Sequence, residues 1–185
     1  MRLRVLGCSG SIGGQHNRTT SFLVDQDILI DAGTGVGDLS LPELTLIDHI
    51  FVTHSHLDHV NSIAFFLDSV GALRPKPVTV YAMAPTIETL KKHLFNWDIW
   101  PDFTQIPTPE QPWLRYHEID VGTVITLGGR KITALPAIHT VPGLPPGRSC
   151  IWARSATWPR CRTGWCWWSP GPRRSWPRCC PGSPP

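Results

Sequence analysis

Apolar residues in the first 135 positions recur with two periods, two and about 3.6, broken by short glycine- or proline-containing segments. Residues 3–6 alternate weakly and lead into Gly7, Gly10, Gly13 and Gly14, so a short strand is predicted to feed a glycine-rich loop. Residues 20–24 and 28–30, separated by Asp25, Gln26 and Asp27, predict a hairpin whose second strand is apolar throughout and therefore buried. That strand ends in Asp31, Ala32 and Gly33. Residues 41–46 predict a short helical or looped crossover, and 48–53 another strand of the buried type. From Val60 onward, Ile63, Ala64, Leu67 and Val70 fall at helical spacing. A strand at 77–81 and a helix at 85–94 follow, with Pro85 suited to a first turn. The aromatic but aperiodic stretch 95–103 predicts a packed loop, a core plug in preference to a cover over a site. Residues 121–127 and 130–135 around Gly128-Gly129 predict a hairpin. Strands alternating with helices place the chain in the α/β class.

Composition changes this picture in one place. The 185 residues are 41% hydrophobic, enough for one domain with or without a tail, and the formal net charge is +3. That charge joins two unlike segments. Residues 1–145 hold 10 Lys/Arg and 14 Asp/Glu; residues 146–185 hold 7 Arg and no acid. Cys8 stands alone in the first segment, whereas Cys150, Cys161, Cys166, Cys179 and Cys180 all fall in the second. A metal motif with one cysteine reads as a reduced, cytoplasmic protein, and no apolar run reaches the length of a signal-peptide core or a membrane span. A soluble chain without a membrane partner is expected.

The candidate chemistry lies directly after the 48–53 strand, in Thr53-His54-Ser55-His56-Leu57-Asp58-His59. Side chains two apart share a face of an extended segment, so His54 and His56 can chelate one ion. Asp58 falls on that side by parity and His59 does not. A turn at Leu57-Asp58 would aim Asp58 and His59 at a second position. Zinc takes neutral imidazoles and carboxylates, and a catalytic site keeps one coordination position open for water. His16, His49, His93 and His117, taken singly, read as exposed or core-satisfied side chains. Asp31, an acid at a strand end before glycine, either supports the site from behind or caps a turn. The glycine-rich loop lacks the closing Gly-Lys-Ser/Thr of a phosphate loop and reads as a structural turn beside the site.

Asp31 at a strand end, His-x-His-x-Asp-His at 54–59 and a lone His139 together resemble the metallo-β-lactamase superfamily of metal-dependent hydrolases. Within it, the opening Gly-Cys-Ser-Gly-Ser-Ile-Gly-Gly, the segment 95–103 and His139-Thr140-Val141-Pro142 are similar to bacterial 3′,5′-cyclic-nucleotide phosphodiesterases related to the class II enzymes. The resemblance covers residues 1 to about 142. It implies the N-terminal part of an αββα sandwich at 1–145. It also implies two Zn²⁺ ions in the intact family, with one or none expected here. His54, His56 and His139 would hold the first ion and Asp58 with His59 the second. Asp31 would support them, and Asp58 would orient, or take a proton from, the attacking water. The implied reaction is hydrolysis of a phosphodiester, cyclic AMP to AMP, with a small cyclic nucleotide as partner and nucleic acid not expected. Two alternatives stand beside it: an inactive zinc-binding remnant, and an RNA-processing nuclease of the same superfamily. The pattern assigns no substrate-binding residue and no oligomeric state.

The family closes its site with a bridging Asp and a final His, and no Asp, Glu or His follows His139. Residues 146–185 contain 8 Pro, 7 Arg, 6 Trp and 5 Cys. Eight prolines leave no period for a helix or a strand, and no further sheet is expected there. Three readings compete for this segment: a basic, aromatic arm for single-stranded nucleic acid, a cysteine cluster without paired spacing, and an out-of-frame translation of GC-rich codons after a frameshift between about Val141 and Arg148. Only the third accounts together for the composition, the charge flip and the missing ligands, and it is the expectation taken forward. Such a chain would expose an apolar face and an unpaired strand edge, with poor solubility and impaired activity.

Overall fold

The computed structural model describes residues 1–14 and 17–137 and, as backbone, the strand at 149–154. Strands β1 (Leu3–Gly7), β2 (Ser21–Val24), β3 (Ile28–Ala32), β4 (His49–Phe51), β5 (Val78–Ala82) and β6 (Leu114–Glu118) form one sheet in that spatial order. The pairs β1/β2 and β2/β3 are antiparallel, whereas β3, β4, β5 and β6 pair in parallel. Parallel neighbours need crossovers. These are supplied by α1 (Leu41–Thr45), α2 (Leu57–Val70) and α3 (Ala84–His93), and by the loop from 94 to 113. A second, antiparallel sheet contains β7 (Val124–Leu127), β8 (Arg130–Ala137) and β9 (Ser149–Arg154).

Strand alternation assigns the two faces of the first sheet to different partners. Leu29, Ile50 and Val80, aligned across β3, β4 and β5, are fully buried in a core shared with Val60, Ile63, Leu67 and Val70 of α2 and Ile87 and Leu90 of α3. Residues on the opposite face, Ile28, Phe51 and Tyr81, join Ile132 and Ala134 of β8 in a second core. Phe51 and Tyr81 stack there with centroids 4.4 Å apart and planes within 9°. Helices, first sheet and second sheet therefore lie as successive layers, the α/β architecture expected. Val124 and Leu135, on the outward face of the second sheet, are exposed.

Several boundaries differ from expectation for local reasons. Helix α2 begins at Leu57, not Val60, because His56 is extended and caps it, and Asp58 suits the first turn of a helix. Strand β7 begins at Val124 because Asp120 and Thr123 close a turn over Gly122, whose φ is 89°. Gly128 and Gly129 both take positive φ, the requirement of the two-residue turn between β7 and β8. Strand β6 was not anticipated; only Leu114 and Tyr116 mark it, and the sheet edge it occupies needs little apolar patterning. Phe95 and Phe103 are buried in the helix-side core, as a plug should be, while Trp97 and Ile99 of the same loop are exposed. The residues beyond 146 were not expected to form the second half of a sheet; within them the segment Ser149–Arg154 is one strand that pairs antiparallel with β8. This segment sits in the proline-free interval between Pro146 and Pro159.

Candidate metal centre

Parallel pairing of β3 and β4 brings their C-terminal ends together, the position where open α/β sheets place ligands. Asp31 closes β3 and is 2% exposed. Its φ of +56° is uncommon for a residue other than glycine, and it turns the carboxylate toward the segment leaving β4. There Oδ1 of Asp31 accepts the Thr53 N–H at 2.8 Å, and the Thr53 hydroxyl lies 3.0 and 2.9 Å from Oδ1 and Oδ2. Nδ1 of His59 lies 2.7 Å from Oδ2. The described side-chain partners of Asp31 are thus Thr53 and His59.

The histidines converge. His54 and His56 rings have centroids 4.5 Å apart, and His54 and His59 rings 4.1 Å. Nδ1 of His54 is 3.0 Å from Thr53 Oγ1, and Nε2 of His59 is 3.3 Å from Oδ2 of Asp58. The expected turn at Leu57-Asp58 is replaced by the first turn of α2, so strand parity ends at His56 and the helix rotation sets Asp58 and His59. Burial opposes a charged His59 ring, but the hydrogen bond and charge of Asp31, with Asp58 adjacent, outweigh it and raise the ring above its usual 6.5. Gly33 governs the approach of α2. A Cβ there would lie 2.5 Å from the Asp58 carbonyl oxygen and 2.4 Å from Thr19 Oγ1. Thr19 itself is locked to Thr34 by two hydrogen bonds of 2.9 and 2.8 Å, which ties the strand after the glycine-rich loop to the end of β3.

These donors suit a divalent cation. Two ligand atoms at 2.0–2.2 Å on a tetrahedral ion lie roughly 3.3–3.5 Å apart, and the Asp58–His59 separation of 3.3 Å matches that edge. Asp31 on Nδ1 of His59 is the carboxylate support that metal-binding imidazoles usually carry. His139 lies outside the described residues, as does His16. Of the other histidines, His93 and His117 are exposed and His49 is half-buried against Tyr81.

Among the described residues, Asp27, Asp48 and His49 are the one group of three ligand-type side chains whose ligand atoms all lie within 4.8 Å of one another, at the opposite ends of the same strands. Its carboxylates are already neutralised. Asp27 takes two hydrogen bonds from Arg130 at 2.7 and 2.6 Å, and Asp48 is bridged by Lys76 at 2.7 Å and by Arg74. This cluster reads as a charge staple between the β2–β3 turn, β4 and the second sheet.

A helix layer on a largely parallel sheet, a second antiparallel sheet behind it, and His-x-His-x-Asp-His where β4 meets α2 define the metallo-β-lactamase class of hydrolase folds. The chain belongs to that class by sequence as well: the family described as Beta-lactamase superfamily domain matches residues 26–153. The match runs past residue 142, where the resemblance was expected to stop, and includes β9. The chain is 40% identical over 58 residues to a probable 3′,5′-cyclic-nucleotide phosphodiesterase of Yersinia pestis, covering 31% of this chain and 16% of that protein. It is 29% identical over 131 residues to ribonuclease Z of Haloarcula marismortui, covering 68% of this chain and 39% of that protein. The crystal structure of unliganded yeast PDE1 superposes with a TM-score of 0.64 at 19% identity, over 81% of this chain and 60% of that one, which shows the shared fold. The chain thus spans less than half the length of these two sequence relatives. No helix among the described residues is long and apolar enough to cross a membrane.

Proposed function

We propose that this chain carries the front half of a two-metal phosphodiesterase site acting on 3′,5′-cyclic nucleotides, cyclic AMP to AMP, with zinc as the metal. The observation that carries the reading is the pairing of Asp58 and His59 at 3.3 Å beside the converged rings of His54 and His56. His54, His56 and His139 would hold one ion, Asp58 and His59 the other, with Asp31 orienting His59. Bound zinc supplies a water of pKa about 7 and charge stabilisation at the phosphate. Asp58 orients the attacking water or takes its proton, and the half-buried first turn of α2 keeps it beside His59. The likeness to the Yersinia pestis protein supports the cyclic substrate. The longer ribonuclease Z alignment supports RNA as a second reading.

Residues 146–185 bear on how much of this chemistry the chain performs. We take the segment after β9 as out-of-frame translation, since no Asp or His that could complete the site occurs between residues 140 and 185. Translation of the other two frames from codon 142 onward is expected to yield an Asp-bearing strand end and a later His. If neither frame does, the frameshift account fails. The chain as given should bind one zinc or none and turn over little cyclic AMP; the frame-restored protein should bind two and hydrolyse it. Cleavage of RNA with cyclic AMP untouched would replace the first reading with the second. Zinc near two per chain with full turnover in the chain as given would remove the impaired-remnant reading.

A further inference from the structure

His54 stands in the middle of the convergent cluster, its ring near those of both His56 and His59. The Thr53 hydroxyl lies within hydrogen-bond distance of both Asp31 and His54. A threonine hydroxyl has one proton and two lone pairs, and a carboxylate at neutral pH only accepts. Thr53 Oγ1 is 3.0 and 2.9 Å from the two oxygens of Asp31, so its single proton points to that carboxylate. The Nδ1 of His54, 3.0 Å from the same oxygen, then faces a lone pair and must be the donor. The proton of the neutral ring is on Nδ1, and Nε2 carries the lone pair. The same carboxylate accepts directly from Nδ1 of His59 at 2.7 Å, so in the neutral form of that ring Nε2 is the lone-pair nitrogen, 3.3 Å from Asp58 Oδ2.

We propose that Thr53 is a positioning residue: its hydroxyl relays the hydrogen-bond polarity of Asp31 to His54, so that one buried carboxylate fixes the tautomers of two histidines. Three features of the backbone serve this arrangement. Asp31 takes its left-handed φ of +56° at the point where its oxygens reach β4's exit. The Thr53 N–H also donates to Oδ1 at 2.8 Å, which anchors the residue whose hydroxyl does the relaying. His54 follows Thr53 directly in sequence, so the anchored peptide keeps the root of its side chain beside the relaying hydroxyl. A valine at 53 has the same shape and cannot relay; a serine can.

The use of the exposed lone pairs for zinc rests on the function proposed above, but the tautomer does not, and the test separates the two. In the full chain free of metal, two-bond ¹H–¹⁵N correlations at neutral pH should show His54 with its proton on Nδ1 in the wild type and in Thr53→Ser. Thr53→Val should shift His54 toward the Nε2-protonated form. Zinc affinity, read by competition with a chelating dye, should fall about 10–100-fold in Thr53→Val, the usual effect of an outer partner of a metal-binding imidazole, and return close to wild type in Thr53→Ser. An Nε2-protonated His54 in the wild type overturns the inference without any variant being needed. So does zinc binding by Thr53→Val as tight as wild type with an unchanged tautomer. A wild-type chain that shows the Nδ1-protonated ring, lost in Thr53→Val, yet binds no zinc supports the relay and removes the metal reading instead.

Discussion

Strands β3 and β4 present an acid-and-histidine cluster at each of their two ends, and the clusters differ in what neutralises the acid. At the C-terminal ends, Asp31 and Asp58 face His59, with His54 and His56 beside them and no Lys or Arg in the described hydrogen bonds. At the N-terminal ends, Asp27, Asp48 and His49 are the more tightly grouped, their ligand atoms all within 4.8 Å of one another, yet Arg130, Arg74 and Lys76 occupy the carboxylates. Proximity of ligand types alone favours the N-terminal group. The distinction lies in the counter-charge: lysine and arginine supply it at one end, whereas the other leaves it to imidazole and, on the proposed reading, to metal.

The comparison breaks first at the ligands themselves. His59→Ala should weaken zinc binding by more than the roughly 10–100-fold that an outer partner contributes, while His49→Gln and Asp48→Asn leave zinc stoichiometry and affinity unchanged by calorimetry. Zinc lost from both ends would erase the distinction. Next in size, Arg130→Met strands two acids, Asp25 at 3.0 Å and Asp27, and removes the ties from β8 to the β2–β3 turn. Urea denaturation should show a loss of roughly 2 kcal/mol, the scale of hydrogen bonds to charged groups, with zinc affinity preserved. The smallest effect concerns acid. The hydrogen bonds from Arg130 hold Asp27 below the usual carboxylate range. A depressed folded-state pKa contributes stability that is present above the unfolded value, near 3.8, and is lost as pH falls through the lower folded one. Asp27→Asn should therefore flatten the decline of stability below about pH 4, leaving the neutral-pH zinc titration in place.

Much of the scaffold was legible because buried parallel strands and an amphipathic helix are strong, local patterns. The β3 strand, the β4 strand and the apolar face of α2 follow from residues 28–30, 50–52 and 60–70 read in isolation. The start of α2 was not legible, since Leu57-Asp58-His59 has no apolar period to distinguish a first helical turn from a loop. Arg130 was invisible for the opposite reason: its partners are 103 and 105 residues away and only the packing of the two sheets brings them into reach. Asp31 could be narrowed to support or cap, and its partners Thr53 and His59, 22 and 28 residues away, could not be read from the sequence. Thr53 carries no signal in sequence, because a hydroxyl's role depends on which acceptor claims its one proton.

Gly33 has a consequence for how this family member can vary. Its missing Cβ is the clearance through which the first turn of α2 seats against the end of β3, with Asp58's carbonyl and Thr19 closing from either side. In a saturation library, position 33 should then be among the least permissive in the chain although it has no side-chain donor, acceptor or charge. Even alanine would wedge the helix outward by its backbone, beyond the reach of any rotamer to relieve, and carry Asp58 and His59 away from Asp31 together. The tolerance of the metal centre to mutation would thus be set partly by a residue with nothing to bind.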